Sequence, residues 1–226
     1  RPDSVVDGSS VYQVRKKIGA QLAIESPVDA DMVVPVPDSG TPAAIGYAQE
    51  SGLPFELGII RSHYVGRTFI QPGDQIRNLG VKLKHNANRA MIDGKRIVLI
   101  DDSIVRGTTS LKIVQMLRDA GAAEVHMRIA SPPTRHSCFY GVDTPERSKL
   151  LAANMDVERM REYIKVDSLA FLSIDGLYRA LGEDLRLDDA PQYCDACFTG
   201  DYPTRLTDFE EAEVPDQLSM LAERMI

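Results

Sequence analysis

The sequence predicts an α/β fold in which a central parallel sheet is flanked by helices, and three observations carry this. Ile97 to Ile100 is an uninterrupted apolar run, the pattern of a strand buried on both faces. It passes through Asp101-Asp102 into the turn Gly107-Thr108-Thr109-Ser110. Behind that turn Leu111, Ile113, Val114, Leu117 and Ala120 recur at near-helical spacing, and Gly121 follows as a helix stop. The same order occurs upstream. Met32 to Val36 reads as a strand, Pro37-Asp38-Ser39-Gly40-Thr41 as a turn, and a helix opened by Pro42, capped by Thr41 and closed by Gly52 comes next.

The other elements follow the same logic. Val11, Val14, Ile18, Leu22 and Ile24 make residues 9–26 an amphipathic helix against the sheet. Phe55 to Ile60, Val125 to Ala130 and Leu169 to Leu172 read as further strands, and strands alternating with helices imply parallel pairing. From Arg61 to Asp93 the chain is polar and has no apolar period. That stretch gathers Arg61, Arg67, Arg77, Lys82, Lys84 and Arg89, and a connection this long is usually functional. After Tyr202 the chain is acidic and irregular until a short helix at Leu218 to Met225, which reads as a tail.

Composition bounds the function. With 226 residues, 43% of them hydrophobic, the chain has enough apolar material for one sizeable core. Its net charge of -7 argues against nucleic acid or an anionic membrane as a partner, since both select basic surfaces. No stretch approaches the roughly 20 apolar residues of a membrane span. A cytoplasmic protein is expected, and the start at Arg1-Pro2-Asp3-Ser4 without Met reads as an excised part of a longer one.

Asp101 and Asp102 fall at the carboxyl end of a strand, where ligands bind in open α/β sheets, and carboxylates suit sugar hydroxyls or a hydrated metal. Gly107 permits close backbone approach. Thr108, Thr109 and Ser110 add hydroxyls to the unpaired amides of a first helical turn, which suits a phosphate. A solvated pair of acidic caps is the plainer alternative, and an ordinary helix-capping turn is the plainer reading of Asp38 to Thr41. Cys194 and Cys197 form a C-x-x-C, with Cys138 upstream. That spacing suits a shared metal with one ligand missing, and iron-sulfur, zinc or free thiols all fit it. His63, His85, His126 and His136 fall into no ligand or triad spacing, and Ser103 lacks a nucleophile elbow.

The run Val98 to Ser110, with its spelling DDSIVRGTTS, resembles the signature of type I phosphoribosyltransferases, enzymes that use phosphoribosyl pyrophosphate (PRPP). Pro35 to Gly40, Tyr64 to Ile70, Asn86 to Arg89 and Phe139 to Asp143 agree, and the spelling is similar to the glutamine PRPP amidotransferases. The resemblance runs from Arg1 to about Thr204 and implies the type I phosphoribosyltransferase fold with a long flexible active-site loop.

It also implies a reaction: ammonia displaces pyrophosphate from C1 of PRPP, giving phosphoribosylamine in the first step of purine synthesis. Asp38, Ser39, Gly40 and Thr41 would take the pyrophosphate, and Arg106, Gly107, Thr108, Thr109 and Ser110 the sugar phosphate. Ser39, Asp101 and Asp102 match the family's Mg2+ contacts, while Arg67 and Tyr64 are the loop residues expected to meet substrate. In one subset of the family Cys138, Cys194 and Cys197 would be ligands of a 4Fe-4S cluster whose fourth Cys lies upstream of Arg1. The family carries an N-terminal glutaminase domain, absent here, is inhibited by purine nucleotides and forms homotetramers. The implied division is a phosphoribosyltransferase domain over 1–200, with its flexible loop at 61–89, and a tail over 201–226. A nucleobase-salvage phosphoribosyltransferase and a non-catalytic PRPP-sensing regulator are the competing readings.

Overall fold

The computed structural model describes residues 1–62 and 85–206. A short hairpin of β1 (Val5–Val6) and β2 (Ser9–Ser10) leads into α1 (Val11–Glu25). Then come β3 (Met32–Pro35), α2 (Thr41–Ser51), β4 (Ile59–Arg61), β5 (His85–Ala87) and a single turn, α3 (Arg89–Ile92). β6 (Arg96–Asp101), α4 (Thr108–Asp119) and β7 (Glu124–Ile129) follow. The remainder holds α5 (Leu151–Asn154), α6 (Val157–Ile164), β8 (Ser168–Phe171), α7 (Ile174–Leu181) and α8 (Ala196–Thr199).

β3, β6, β7 and β8 form one four-stranded sheet in that order, parallel throughout. In register, Val34, Leu99, Met127 and Leu169 make one row across it. That row packs on Ile113, Val114 and Leu117 of α4 and on Met160 and Ile164 of α6. The alternate residues Val33, Val98 and Ile100 point to the other face, against Leu22 of α1 and Ala44 and Tyr47 of α2. Side chains alternate across a strand, so a strand apolar at every position needs cover on both faces. Both cores are thereby filled. A Cβ on Gly19 would run into the Ala43 carbonyl, and one on Gly46 into that of Lys16, so α1 and α2 cross backbone against backbone.

β7 departs from this pattern in an informative way. His126 and Arg128 alternate with Val125, Met127 and Ile129, and both polar side chains lie on the α1 side of the sheet. Arg128 is buried, yet its Nε donates to the Ser26 carbonyl at the end of α1 (3.0 Å) and its Nη1 to Ser168 Oγ (3.0 Å). A buried guanidinium without a carboxylate is tolerated because its N–H groups find acceptors.

The sequence reading needs four adjustments. Ser9 and Ser10 belong to β2, and Ser10 caps α1 by accepting from the Gln13 amide (3.5 Å). The cap of α2 is Gly40, not Thr41, and it makes no side-chain cap bond. The expected strand Phe55 to Ile60 is split: Phe55 bridges Val33 in parallel at the sheet edge, whereas Ile59–Arg61 leaves the sheet to pair antiparallel with β5. The reading also passed over α6 and α7, two-turn helices in which Val157, Met160 and Ile164, and Ile174, Leu177, Tyr178 and Leu181, do stand at helical spacing.

Candidate active site

β6 ends in Asp101, a residue only 7% exposed, whose carbonyl accepts from the Ala130 amide (2.9 Å). Its Oδ1 accepts from the Asp102 amide (2.9 Å). Burial pushes the Asp101 carboxyl well above the usual carboxylate range, and the neighbouring Asp102 charge pushes it further. Asp102 is half-buried and accepts from Ser103 Oγ at 3.4 Å. No lysine or arginine pairs with either carboxylate among the described residues.

The turn after β3 folds over this strand end. The Val36 amide donates to the Ile100 carbonyl (2.8 Å) and the Gly40 amide back to the Val36 carbonyl (3.0 Å). Within the turn the Pro37–Asp38 peptide is cis. A Cβ on Gly40 would collide with the Ile100 carbonyl, so only glycine lets the turn come this close. Ser39 of the turn and Asp102 of the neighbouring loop therefore line one cavity of about 180 Å³, which Arg15, Ile18, Ala43 and Ala130 complete.

On the other side of the strand end, Gly107 caps α4 in the left-handed region (φ 73°) with no side-chain cap bond. The first amides of α4 are thus left for a ligand, at the positive end of a 12-residue helix. Arg106 and Thr108 are exposed, Thr109 half-buried and Ser110 buried.

The β4–β5 ribbon rises from the first turn. Arg61 forms an ion pair with Asp38, and His85 Nε2 approaches the Pro37 carbonyl (3.4 Å). Both ends of the expected 61–89 loop are therefore ordered ribbon, held on the turn that carries Ser39. Tyr64 and Arg67 lie outside the described residues, as does the helix read at Leu218 to Met225.

Arg15 is the residue the sequence reading missed. It is half-buried, lines the cavity with Ser39 and Asp102, and pairs with no carboxylate among the described residues. A signal was present. Arg15 interrupts the apolar stripe Val11, Val14, Ile18 and Leu22 of α1, where burial would otherwise favour another aliphatic.

The three cysteines come to one region from two segments. Amides of Arg135 and His136 donate to the Cys197 carbonyl (2.9 and 3.0 Å), and the Tyr140 amide approaches Cys138 Sγ (3.4 Å). Burial pushes the Cys197 thiol up, and nearby Cys138 and Cys194 add to the effect. Tyr202 packs on Phe139 (ring centroids 5.3 Å) and donates from its hydroxyl to the Ser137 carbonyl (2.7 Å), which ties residues read as tail to the Cys138 loop. The donor chemistry fits a metal cluster, but closed ligand geometry is absent: among the described residues no three His, Cys, Asp or Glu are arranged to hold a metal.

The model of the phosphoribosyl transferase domain matches residues 6–137, a span that contains both turns and the paired carboxylates. The chain belongs to the phosphoribosyltransferase family. The chain is similar to the amidophosphoribosyltransferase of Rhizobium etli, 68% identical over 223 residues, covering 98% of this chain and 45% of that protein. It is also similar to the chloroplastic amidophosphoribosyltransferase 2 of Arabidopsis thaliana, 58% identical over 207 residues, or 92% of this chain and 36% of that one. Among solved structures, the glutamine PRPP amidotransferase of Bacillus subtilis complexed with ADP and GMP matches at a TM-score of 0.81 and 53% identity. That match covers 91% of this chain and 45% of that chain. The chain thus spans less than half the length of these relatives. No helix among the described residues is long and apolar enough to cross a membrane.

Proposed function

We propose that this chain is the phosphoribosyl-transfer part of an amidophosphoribosyltransferase, catalysing displacement of pyrophosphate from PRPP by ammonia in the first step of purine synthesis. The observation that carries it is the abutment of two strand-turn-helix units: Ser39 and Asp102 line one cavity, and Asp102 belongs to the loop that leads into the start of α4, where Gly107 makes no side-chain cap bond. Similarity to amidophosphoribosyltransferases over 98% of the chain supports this choice of acceptor.

Breaking the C1–oxygen bond puts negative charge on pyrophosphate and positive charge on the ribose ring. The site's task is to stabilise both charges and hold the partners in line. Ser39 and the amides around Gly40 would donate to pyrophosphate oxygens, with Asp38 and Thr41 shaping the turn. Asp101 and Asp102 would hold ribose hydroxyls and face the developing cation. Arg106 to Ser110 would hold the sugar phosphate at the helix N-terminus. Two adjacent carboxylates with no cationic partner among the described residues, plus a hydroxyl, make an oxygen donor set that fits Mg2+. Ser39, Asp101 and Asp102 would hold the ion, which when bound neutralises charge on the leaving group. Tyr64 and Arg67 remain the proposed contacts from the loop.

The same reading places ammonia production in an N-terminal glutaminase part, purine nucleotides as inhibitors, a homotetramer as the assembly and the cytoplasm as the compartment. It keeps the domain at 1–200 with its loop at 61–89, and assigns Cys138, Cys194 and Cys197 to a 4Fe-4S cluster completed from upstream. Iron and sulfide analysis after anaerobic purification tests the cluster, and zinc at one per chain would overturn it.

Pyrophosphate release from PRPP, with Mg2+ and with or without ammonium chloride at raised pH, tests the central reading. Ammonia-dependent release is expected. Release that requires a nucleobase instead would transfer the chain to the salvage enzymes, and PRPP binding by a folded protein without any release would make it a sensor.

A further inference from the structure

Behind the phosphate loop lies a segment that no motif singled out, the stretch that contains α5 and α6. A Cβ on Gly107 would sit 2.6 Å from Leu151 Cδ2 and 3.2 Å from Tyr163 Cε1, so these two side chains press on the back of the glycine that caps α4. The Leu151 amide donates to the Val105 carbonyl (2.8 Å), two residues before that glycine. Leu151 itself is buried at 7% exposure and belongs to the same core as Ile104, the loop's own inward anchor at 2%. α5 is held in turn, since Asn154 Nδ2 donates to the Leu150 carbonyl (2.7 Å) and to that of Ser148 (3.0 Å).

We propose that Leu151 and Tyr163 are positioning residues for the sugar phosphate: they brace the 102–107 loop so that the amides of α4 are already aimed when the ligand arrives. A loop with only its two ends fixed would lose backbone freedom on binding, and that ordering would subtract from the affinity. The brace transfers that ordering to the folding of α5 and α6. Neither side chain needs to touch the ligand. This deepens the proposed function and rests on its assignment of Arg106 to Ser110 to the phosphate.

Binding of ribose 5-phosphate to the full chain, measured calorimetrically, tests the brace without any need for turnover. Leu151→Ala should weaken binding about tenfold, the effect of roughly 1.4 kcal/mol. Leu151→Met, which keeps the volume, should restore it to within about twofold. Leu117→Ala provides the control, because it opens a cavity in the same core without touching the loop, and binding should then be unchanged at a similar loss of stability. Equal binding by Leu151→Ala and Leu117→Ala would overturn the brace. If Leu151→Ala fails to fold, Tyr163→Ala takes its place, since Tyr163 is 36% exposed and tolerant of truncation. A loss of about threefold is expected there, and full retention would be equally fatal to the proposal. Failure of the unsubstituted chain to bind ribose 5-phosphate strikes the assignment of the phosphate loop itself and removes the brace with it.

Discussion

Gly40 lies against the carbonyl of Ile100, closely enough that no side chain fits between them. That contact seats the first turn on the second strand end and brings Ser39 and Asp102 to one cavity. Gly40→Ala should therefore displace the turn rather than merely stiffen it. We expect a loss of about 2 kcal/mol in urea unfolding and of about 100-fold in pyrophosphate release, because misplaced donors no longer meet developing charge.

Asp101 illustrates a site that opposes stability. Its folded pKa is raised, so the folded protein retains a proton that the unfolded chain has already released. The contribution to stability is full below the ordinary carboxylate range and is lost as pH rises toward the raised value. Asp101→Asn should raise the urea midpoint at neutral pH and flatten its dependence on pH, while turnover falls about 100-fold. A midpoint that falls at pH 7 would contradict this.

Arg15 makes the opposite prediction. Since it pairs with no carboxylate among the described residues, Arg15→Ala should change stability by no more than about 0.5 kcal/mol. Its charge faces the cavity shared with Ser39 and Asp102. PRPP binding should weaken about tenfold, an effect that diminishes at high salt as screening grows.

Arg186 gathers the chain around the C-x-x-C. It pairs with Asp195 (2.6 Å), Asp188 (2.7 Å) and Asp201 (2.8 Å), and Asp195 also accepts from the Tyr178 hydroxyl (2.8 Å). Burial alone would raise the Asp195 pKa, but the bonds from Arg186, Tyr178 and Thr199 outweigh it and hold the value below the usual range. The stability this confers is present above the ordinary carboxylate range and is lost as pH falls through the lowered value. Arg186→Ala leaves the buried Asp195 charge without its cationic partner, held only by Tyr178 and Thr199, and unfolding measurements should show a cost of about 3 kcal/mol.

The parts of this fold that were legible in the sequence are those encoded locally. Met32 to Pro35 and Arg96 to Asp101 were recognisable because runs of apolar residues declare a covered strand, and Glu124 to Ile129 because Val125, Met127 and Ile129 alternate with polar residues at the strand period. The two turns were recognisable because glycine and hydroxyl residues cluster where a strand meets a helix. Helix α6 was passed over because Glu158, Arg159, Arg161 and Glu162 fill the places between Val157, Met160 and Ile164, so that its helical spacing stands out little in two turns. Phe55 to Ile60 misled because β propensity cannot say which sheet a strand joins, and here one residue bridges Val33 while the rest turns toward β5.

By itself, then, the sequence determined the α/β class, the two strand-turn-helix units and the chemical character of Asp38 to Thr41 and Asp101 to Ser110. Tertiary structure alone decided their company: Arg15 in the Ser39 cavity, Arg61 on Asp38, Leu151 and Tyr163 behind Gly107, Arg186 beneath the cysteine loop. The division has a physical cause. Period and turn chemistry act over a few neighbouring residues, whereas these pairings join residues brought together only by sheet order and by the packing of helices on its two faces.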